Sequence, residues 1–355
     1  MTTDEPGAEA ETPALAERLR YAPGRVDPED VVSAVEAADP AVRAVYARSV
    51  ASLAPDAAAD LADLAGPFAD LLDGDVDGRR AVVEALAALA AGDPAAVRPY
   101  ADRLVEELSA YNVWVSRAAA EALAGIAAAD PETAAAVEPL LDATRKRTRA
   151  RAASVVAAAA ATSPGVGARF LDDCVDLVTA HPVPRVPATR VLARAGWVDP
   201  GALGPAVDAL VLVARGEDIE AADREFDPTA RSEADGTDVR VAAFTALRHA
   251  AGAAPDRTRT AVDACVDAAV AEEGELARAA ASVLVTLALQ DPSVVDDARA
   301  AVADASYFDR SALVRALADA SADIPGGEYV LFPFCADESR FIRDEVYRQC
   351  SPGDP

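Results

Sequence analysis

The stretch DVDGRRAVVEALAALAAGDP, Asp75–Pro94, decides the fold. It opens on a polar turn, passes two arginines, runs through Ala, Val and Leu, and closes on Asp-Pro. Alanine loses no side-chain entropy in a helix and has the highest helix propensity. Val82 and Leu86 lie one turn apart and share a face. Asp93 before Pro94 is a helix start: the carboxylate accepts orphan amides, and proline lacks a donor that would be unused there. One helix therefore ends and another begins inside this stretch.

The pattern recurs along the chain. Pro55, Pro94, Pro131, Pro164, Pro200, Pro255, Pro292 and Pro325 are spaced by 39, 37, 33, 36, 55, 37 and 33 residues. Asp130, Asp199 and Asp291 precede their prolines as Asp93 does. Eight residues before the prolines stand Leu86, Leu123, Val156, Leu192, Leu247, Leu284 and Leu317; ten after them stand Leu104, Leu141, Cys174, Leu210, Cys265, Val302 and Cys335. Twelve before are Val82, Ala119, Ala152, Ala188, Ala243, Ala280 and Leu313, mostly small residues that let helices approach closely. The Pro55 unit is degenerate, with Ala47 and Ala65 in the first two columns. A basic column, Arg80, Arg117, Arg151, Arg185, Arg240, Arg278 and Arg310, lies 13 to 15 residues before the prolines.

These segments, with VWVSRAAAEALAGIAAADP and ELARAAASVLVTLALQDP, resemble the HEAT repeat family, including the shorter HEAT-like repeats named after phycobilisome lyases. The resemblance covers roughly Val42 to Ala336. It implies an all-α solenoid of about eight antiparallel helix pairs, whose second helices line a concave face. It also implies a ladder between neighbouring repeats: Arg80, Arg117, Arg240 and Arg278, with Asp75, Asn112, Asp235 and Glu273 each five residues before its arginine. The stretch HPVPRVP, His181–Pro187, departs from the pattern; its prolines are expected to break the helix and remove Arg185 from the ladder.

Composition sets the surroundings. The chain of 355 residues has 60 acidic and 33 basic residues and a net charge of −27; Lys146 is its only lysine. Apolar residues make up 52%, enough for a core over most of the length, whereas a disordered chain would be poorer in them. The acidic, lysine-poor, alanine-rich balance resembles that of proteins from extreme halophiles. In molar salt the Debye length is about 3 Å and such a charge is tolerated. Cys174, Cys265, Cys335 and Cys350 have neither disulfide-framework nor zinc spacing. The acidic Met1–Pro13 lacks the apolar core of a signal peptide, and Ala152–Ala161 is too short to cross a bilayer, so a cytoplasmic protein with no membrane partner is expected.

The expected organisation is a tail over 1–13, the repeat array over 14–336, and a capping segment and tail over 337–355. Two stretches interrupt the repeat. The 55-residue gap holds an insert at about 216–238 with nine acids and two arginines, read as a solvated loop or a docking loop for a basic partner. The segment containing Tyr307, Phe308, Tyr329, Phe332, Phe334, Phe341 and Tyr347 is rich in aromatics, read as a cap over the last repeat or as a docking site.

Motifs for chemistry are sparse. Asp73, Asp75, Asp77 and Glu84 fit the calcium-loop formula, but Glu121 follows Arg117 as Glu84 follows Arg80 with no such loop before it, and Arg80 fills a normally aliphatic position. The repeat thus explains the glutamate, and no metal or cofactor is expected. The basic run Arg145, Lys146, Arg147, Arg149 and Arg151 is a candidate contact for a protein partner, as are Tyr329, Phe332 and Phe334. Nucleic acid is disfavoured there by the net charge and by the steep loss of phosphate affinity with salt. His181 and His249 lie in no nucleophile motif. The expected function is a non-catalytic protein-binding scaffold or adaptor. The alternatives are a lyase- or chaperone-type HEAT-like protein, or a chromosome- or RNA-associated one.

Overall fold

A computed structural model describes residues 28–37, 39–73, 78–217 and 236–350. The expected tail over 1–13, most of the acidic insert, and Asp75 and Asp235 lie outside these. All regular structure among the described residues is helical, with no strand. The chain forms two compact bodies, Met1–Val166 and Gly167–Pro355.

The helices of eight or more residues in the first body are α1 (Pro28–Ala37), α2 (Pro40–Ala57), α3 (Arg79–Gly92), α4 (Val113–Ala129) and α5 (Lys146–Thr162). Packing follows chain order: α2 on α3, α3 on α4, α4 on α5. Leu86, Leu123 and Val156 are fully buried, as are Val82, Ala119 and Ala152 one turn before them. Small residues set the helix spacing. A Cβ on Gly125 of α4 would stand 3.1 Å from the Ala90 carbonyl oxygen of α3.

In the second body the helices are α6 (Leu171–Ala180), α7 (Pro182–Ala195), α8 (Val207–Ala214), α9 (Thr237–Ala253), α10 (Val262–Ala271), α11 (Gly274–Gln290), α12 (Ser293–Ala301), α13 (Tyr307–Ser321) and α14 (Arg340–Cys350). Again α7, α9, α11, α13 and α14 pack in succession, with α6, α8 and α10 laid against α7, α9 and α11. Leu192, Leu247, Leu284 and Leu317 are buried, and Cys174, Leu210 and Cys265 occupy the facing column.

Several proline-led helices change type along their length. Pro94–Val97 is α-helical, Arg98–Tyr100 tightens to 3-10, and Ala101–Glu107 resumes; Pro255–Thr258, Arg259–Ala261 and α10 repeat the sequence. Asp93 Oδ1 accepts from the amides of Ala95 (3.1 Å) and Ala96 (3.3 Å), and Asp199 Oδ1 from Ala202 (3.3 Å). Asp291 Oδ1 accepts from Ser293 at 3.0 Å. Asp130 makes no such cap and accepts instead from Arg98 Nη1 at 3.1 Å.

The prolines of His181–Pro187 do not break the helix: α7 is continuous, with Pro187 inside it. Pro182 and Pro184 sit in the first turn, where amides have no intrahelical acceptor to lose. His181 supplies the cap, its Nδ1 accepting from Val183 N at 3.2 Å.

Candidate functional site

The arginines divide by a single residue of register. Those fifteen residues before a proline, Arg79, Arg149, Arg185, Arg240 and Arg310, sit near the start of a second helix and turn inward. Arg79 Nη2 donates to Leu72 O (2.9 Å), Arg149 Nη1 to Ala143 O (2.8 Å), Arg185 Nε to Val178 O (2.8 Å) and Arg240 Nε to Ala214 O (2.9 Å). Each of these closes the end of the preceding first helix, whose last carbonyls have no partner of their own. Two of these guanidinium groups also reach forward, Arg79 to Glu107 (3.1 Å) and Arg240 to Glu272 (2.7 Å), and Arg310 reaches Asp337 (3.4 Å); all three acids lie in the following helix pair.

One position later the side chain points elsewhere, since successive helical residues are turned by about 100°. Arg80 Nε pairs with Glu84 Oε1 (2.7 Å) and lies over the Trp114 ring, and Arg117 Nε pairs with Glu121 Oε1 (2.8 Å), each in its own helix. Arg278 pairs with Asp323. Asn112 caps α4, its Oδ1 accepting from Trp114 N at 3.0 Å. Glu273 precedes α11 without capping it. A further set of rungs joins Arg98 to Asp130 and Arg259 to Asp291, each 32 residues on. The sequence held a signal for these rungs, since Arg98 and Arg259 both stand four residues after their prolines.

The basic run is drawn into the fold. Arg145 Nη1 donates to Ser109 O (3.0 Å), Arg149 holds Ala143 O, and Arg151 is buried, bonded to Val113 O (3.0 Å) and Ser116 Oγ. Arg145 and Arg147 remain exposed, and Lys146 is half-buried. In the calcium formula, Asp75 and Asp77 lie outside the described residues and Glu84 is engaged by Arg80. No group of three or more His, Cys, Asp or Glu among the described residues is placed to hold a metal ion.

The remaining reactive groups serve packing. Cys174 and Cys265 are buried, and burial pushes their thiols far up, which suppresses the thiolate. Cys335 is only half-buried. His249 on α9 bonds the Ala193 carbonyl of α7 through Nε2 at 3.3 Å. Burial first, then Arg248, lowers its pKa against the opposing pull of that bond. Phe334 is buried beneath Arg299, which takes it out of the expected contact surface, whereas Tyr329 and Phe332 are exposed and meet edge-on at 5.5 Å. Sequence reasoning missed Tyr111, almost fully exposed in the turn before α4, and Trp197, exposed after α7; a lone aromatic in a turn carries no periodic signal.

The described residues are all-helical, with helix pairs packed in succession within each body, arginine rungs between pairs and aromatics at the surface. No protein-family model matches the chain, and no curated protein matches it. No helix among the described residues is long and apolar enough to cross a membrane.

Proposed function

We propose that the helix pairs form a HEAT-like superhelix acting as a non-catalytic scaffold or adaptor for protein partners, in a cytoplasm of high salt. The observation that carries this reading is the set of large aromatics left in solvent. The interior is built mainly from Ala, Val and Leu, with Tyr46, Phe68, Phe170, Phe244 and Phe334 buried among them, whereas Tyr111 in the first body and Trp197, Phe308, Tyr329, Phe332, Phe341 and Tyr347 in the second stand exposed. Tyr and Trp anchor protein interfaces because they bury large area at low entropic cost. Aromatic docking persists at salt concentrations that weaken exposed ion pairs. The buried cysteines and the backbone-bonded His249 give no support to a reactive centre.

The test is affinity purification of the full chain at molar KCl, beside Tyr111→Ala and Trp197→Ala variants. A stoichiometric protein partner, lost with either variant, is expected. A co-purifying chromophore would favour the lyase reading, and nucleic acid the chromosome- or RNA-associated one.

A further inference from the structure

The helix pair α6–α7 sorts its charges by helix. α6 carries Asp172, Asp173 and Asp176 and no base; α7 carries Arg185, Arg190 and Arg194 and no acid. Arg185 is buried and closes the end of α6 through Val178 O. Arg190 and Arg194 stand exposed, and neither has an ion pair or hydrogen bond among the described residues. Elsewhere in the second body surface arginines find carboxylates: Arg259 takes Asp291 and Asp297, and Arg278 takes Asp323. In a chain with 60 acids to 33 bases, two neighbouring arginines without one are an exception.

The stripe they form ends on an aromatic. Gly196 keeps helical dihedrals (φ −62°, ψ −19°) and its amide donates to Leu192 O at 2.9 Å, so the helical path runs on to Trp197. At about 100° per residue, positions 190, 194 and 197 fall within about 60° of one another and span about 10 Å along the axis. Trp197 is 58% exposed, and Val198 beside it 45%. The other tryptophan, Trp114, is covered by Arg80 at 4.5 Å from its ring centroid. Trp197 has no such cover among the described residues. Asp199, the nearest acid in sequence, turns its Oδ1 to Ala202 N. α9 lies against α7 here, His249 Nε2 meeting Ala193 O, and the adjoining Arg248 is also without an ion pair among the described residues.

We propose that this stripe of α7 docks an acidic amphipathic helix of a partner protein. Two carboxylates one turn apart meet Arg190 and Arg194, and an apolar side chain a turn further along packs on Trp197. The planar guanidinium fork takes a carboxylate through two parallel hydrogen bonds. Tryptophan and arginine are the residue types that anchor interfaces. A helix repeats its contacts every third and fourth residue, the spacing that Arg190, Arg194 and Trp197 keep. The net charge of −27 sharpens the choice, because it repels an acidic segment from the rest of the surface and leaves this acid-free helix. Nucleic acid is disfavoured, since a phosphate backbone needs a longer run of cations than this stripe supplies. The inference rests on the adaptor reading and gives the partner its chemistry.

The probe is a fluorescein-labelled, alanine-based helical peptide with Leu, Glu, Glu and Leu at positions i, i+3, i+7 and i+10, which fits the stripe in either direction. Companion peptides carry Gln or Lys in place of both Glu. Anisotropy with the full chain is read in 1 M KCl, where a Debye length of about 3 Å leaves direct contacts and removes long-range repulsion. The Glu peptide is expected to bind about fivefold or more tighter than the Gln peptide. Trp197→Ala weakens it by about tenfold. The double variant Arg190→Glu with Arg194→Glu, shown by circular dichroism to keep the wild-type helix content, loses the Glu peptide and takes the Lys peptide better than the wild type does. Misfolding cannot produce that exchange. No binding of the Glu peptide, equal binding of the Glu and Gln peptides, or a double variant with unchanged preference overturns the proposal. So does a single-stranded oligothymidylate that outcompetes the Glu peptide. A captured protein partner that depends on Trp197 but is retained by the double variant keeps the adaptor reading and overturns this inference.

Discussion

At the scale of single residues, Glu107 shows how the fold spends its charges. Its Oε1 accepts from Arg79 at 3.1 Å, while its buried Oε2 has no hydrogen-bond partner. Burial raises its pKa, Arg79 opposes that, and Glu106 adds to the rise. Desolvation therefore outweighs the ion pair. The consequence for stability has a definite sign. Between its ordinary pKa and the raised one, the folded chain holds a proton that the unfolded chain has released. Stability is then lost as pH rises through that window and is fully kept below it. Glu107→Gln removes the titration, so the melting temperature of the variant minus that of the wild type grows from pH 4 to pH 7. A difference that shrinks over that range would mean that the Arg79 pair, not burial, governs the site.

At the scale of elements, the apolar columns were legible in the sequence. Leu86, Leu123, Leu247 and Leu284 recur at a fixed distance from a proline, and a buried helix face has to repeat with the helix. The arginines were legible only as residues near helix starts. Spacings of 13 to 15 residues looked like one column, but one residue turns a side chain by about 100° and exchanges the helix end for solvent. The forward partners were less visible still, because Glu107, Glu272 and Asp337 stand at different distances from their own prolines. The split has a measurable consequence. The Arg240 side chain is 21% exposed and holds both Ala214 O and Glu272; Arg278 is 51% exposed and faces an equally exposed Asp323. Arg240→Ala leaves a helix-end carbonyl unsatisfied and should cost about 1–3 kcal/mol. Arg278→Ala removes a surface pair worth about 0–1 kcal/mol. Urea unfolding of both variants checks the order, and equal losses would return the arginines to one class.

At the scale of the whole molecule, two electrostatic effects of opposite sign compete. Salt weakens the exposed rungs, such as Arg98 with Asp130 and Arg103 with Asp70, each worth about 0–1 kcal/mol. Salt also screens the mutual repulsion of 60 acids set against 33 bases. The rungs are few and local, whereas the repulsion sums over every pair of excess charges within a Debye length, about 10 Å at 0.1 M and about 3 Å at 1 M. Repulsion should therefore decide the outcome. Thermal melts are expected to show a melting temperature that climbs between 0.1 M and 1 M KCl and flattens above that. Replacing exposed acids that lie away from helix N-termini with Asp176→Asn, Asp267→Asn and Asp319→Asn should raise stability at 0.1 M and reduce the climb, because part of the repulsion is then gone before salt is added. Kosmotropic salting-out, the competing cause, strengthens burial without regard to net charge and would leave the climb of the triple variant unaltered. A melting temperature that stays level or drops in KCl would show instead that the arginine rungs outweigh the acidic surface.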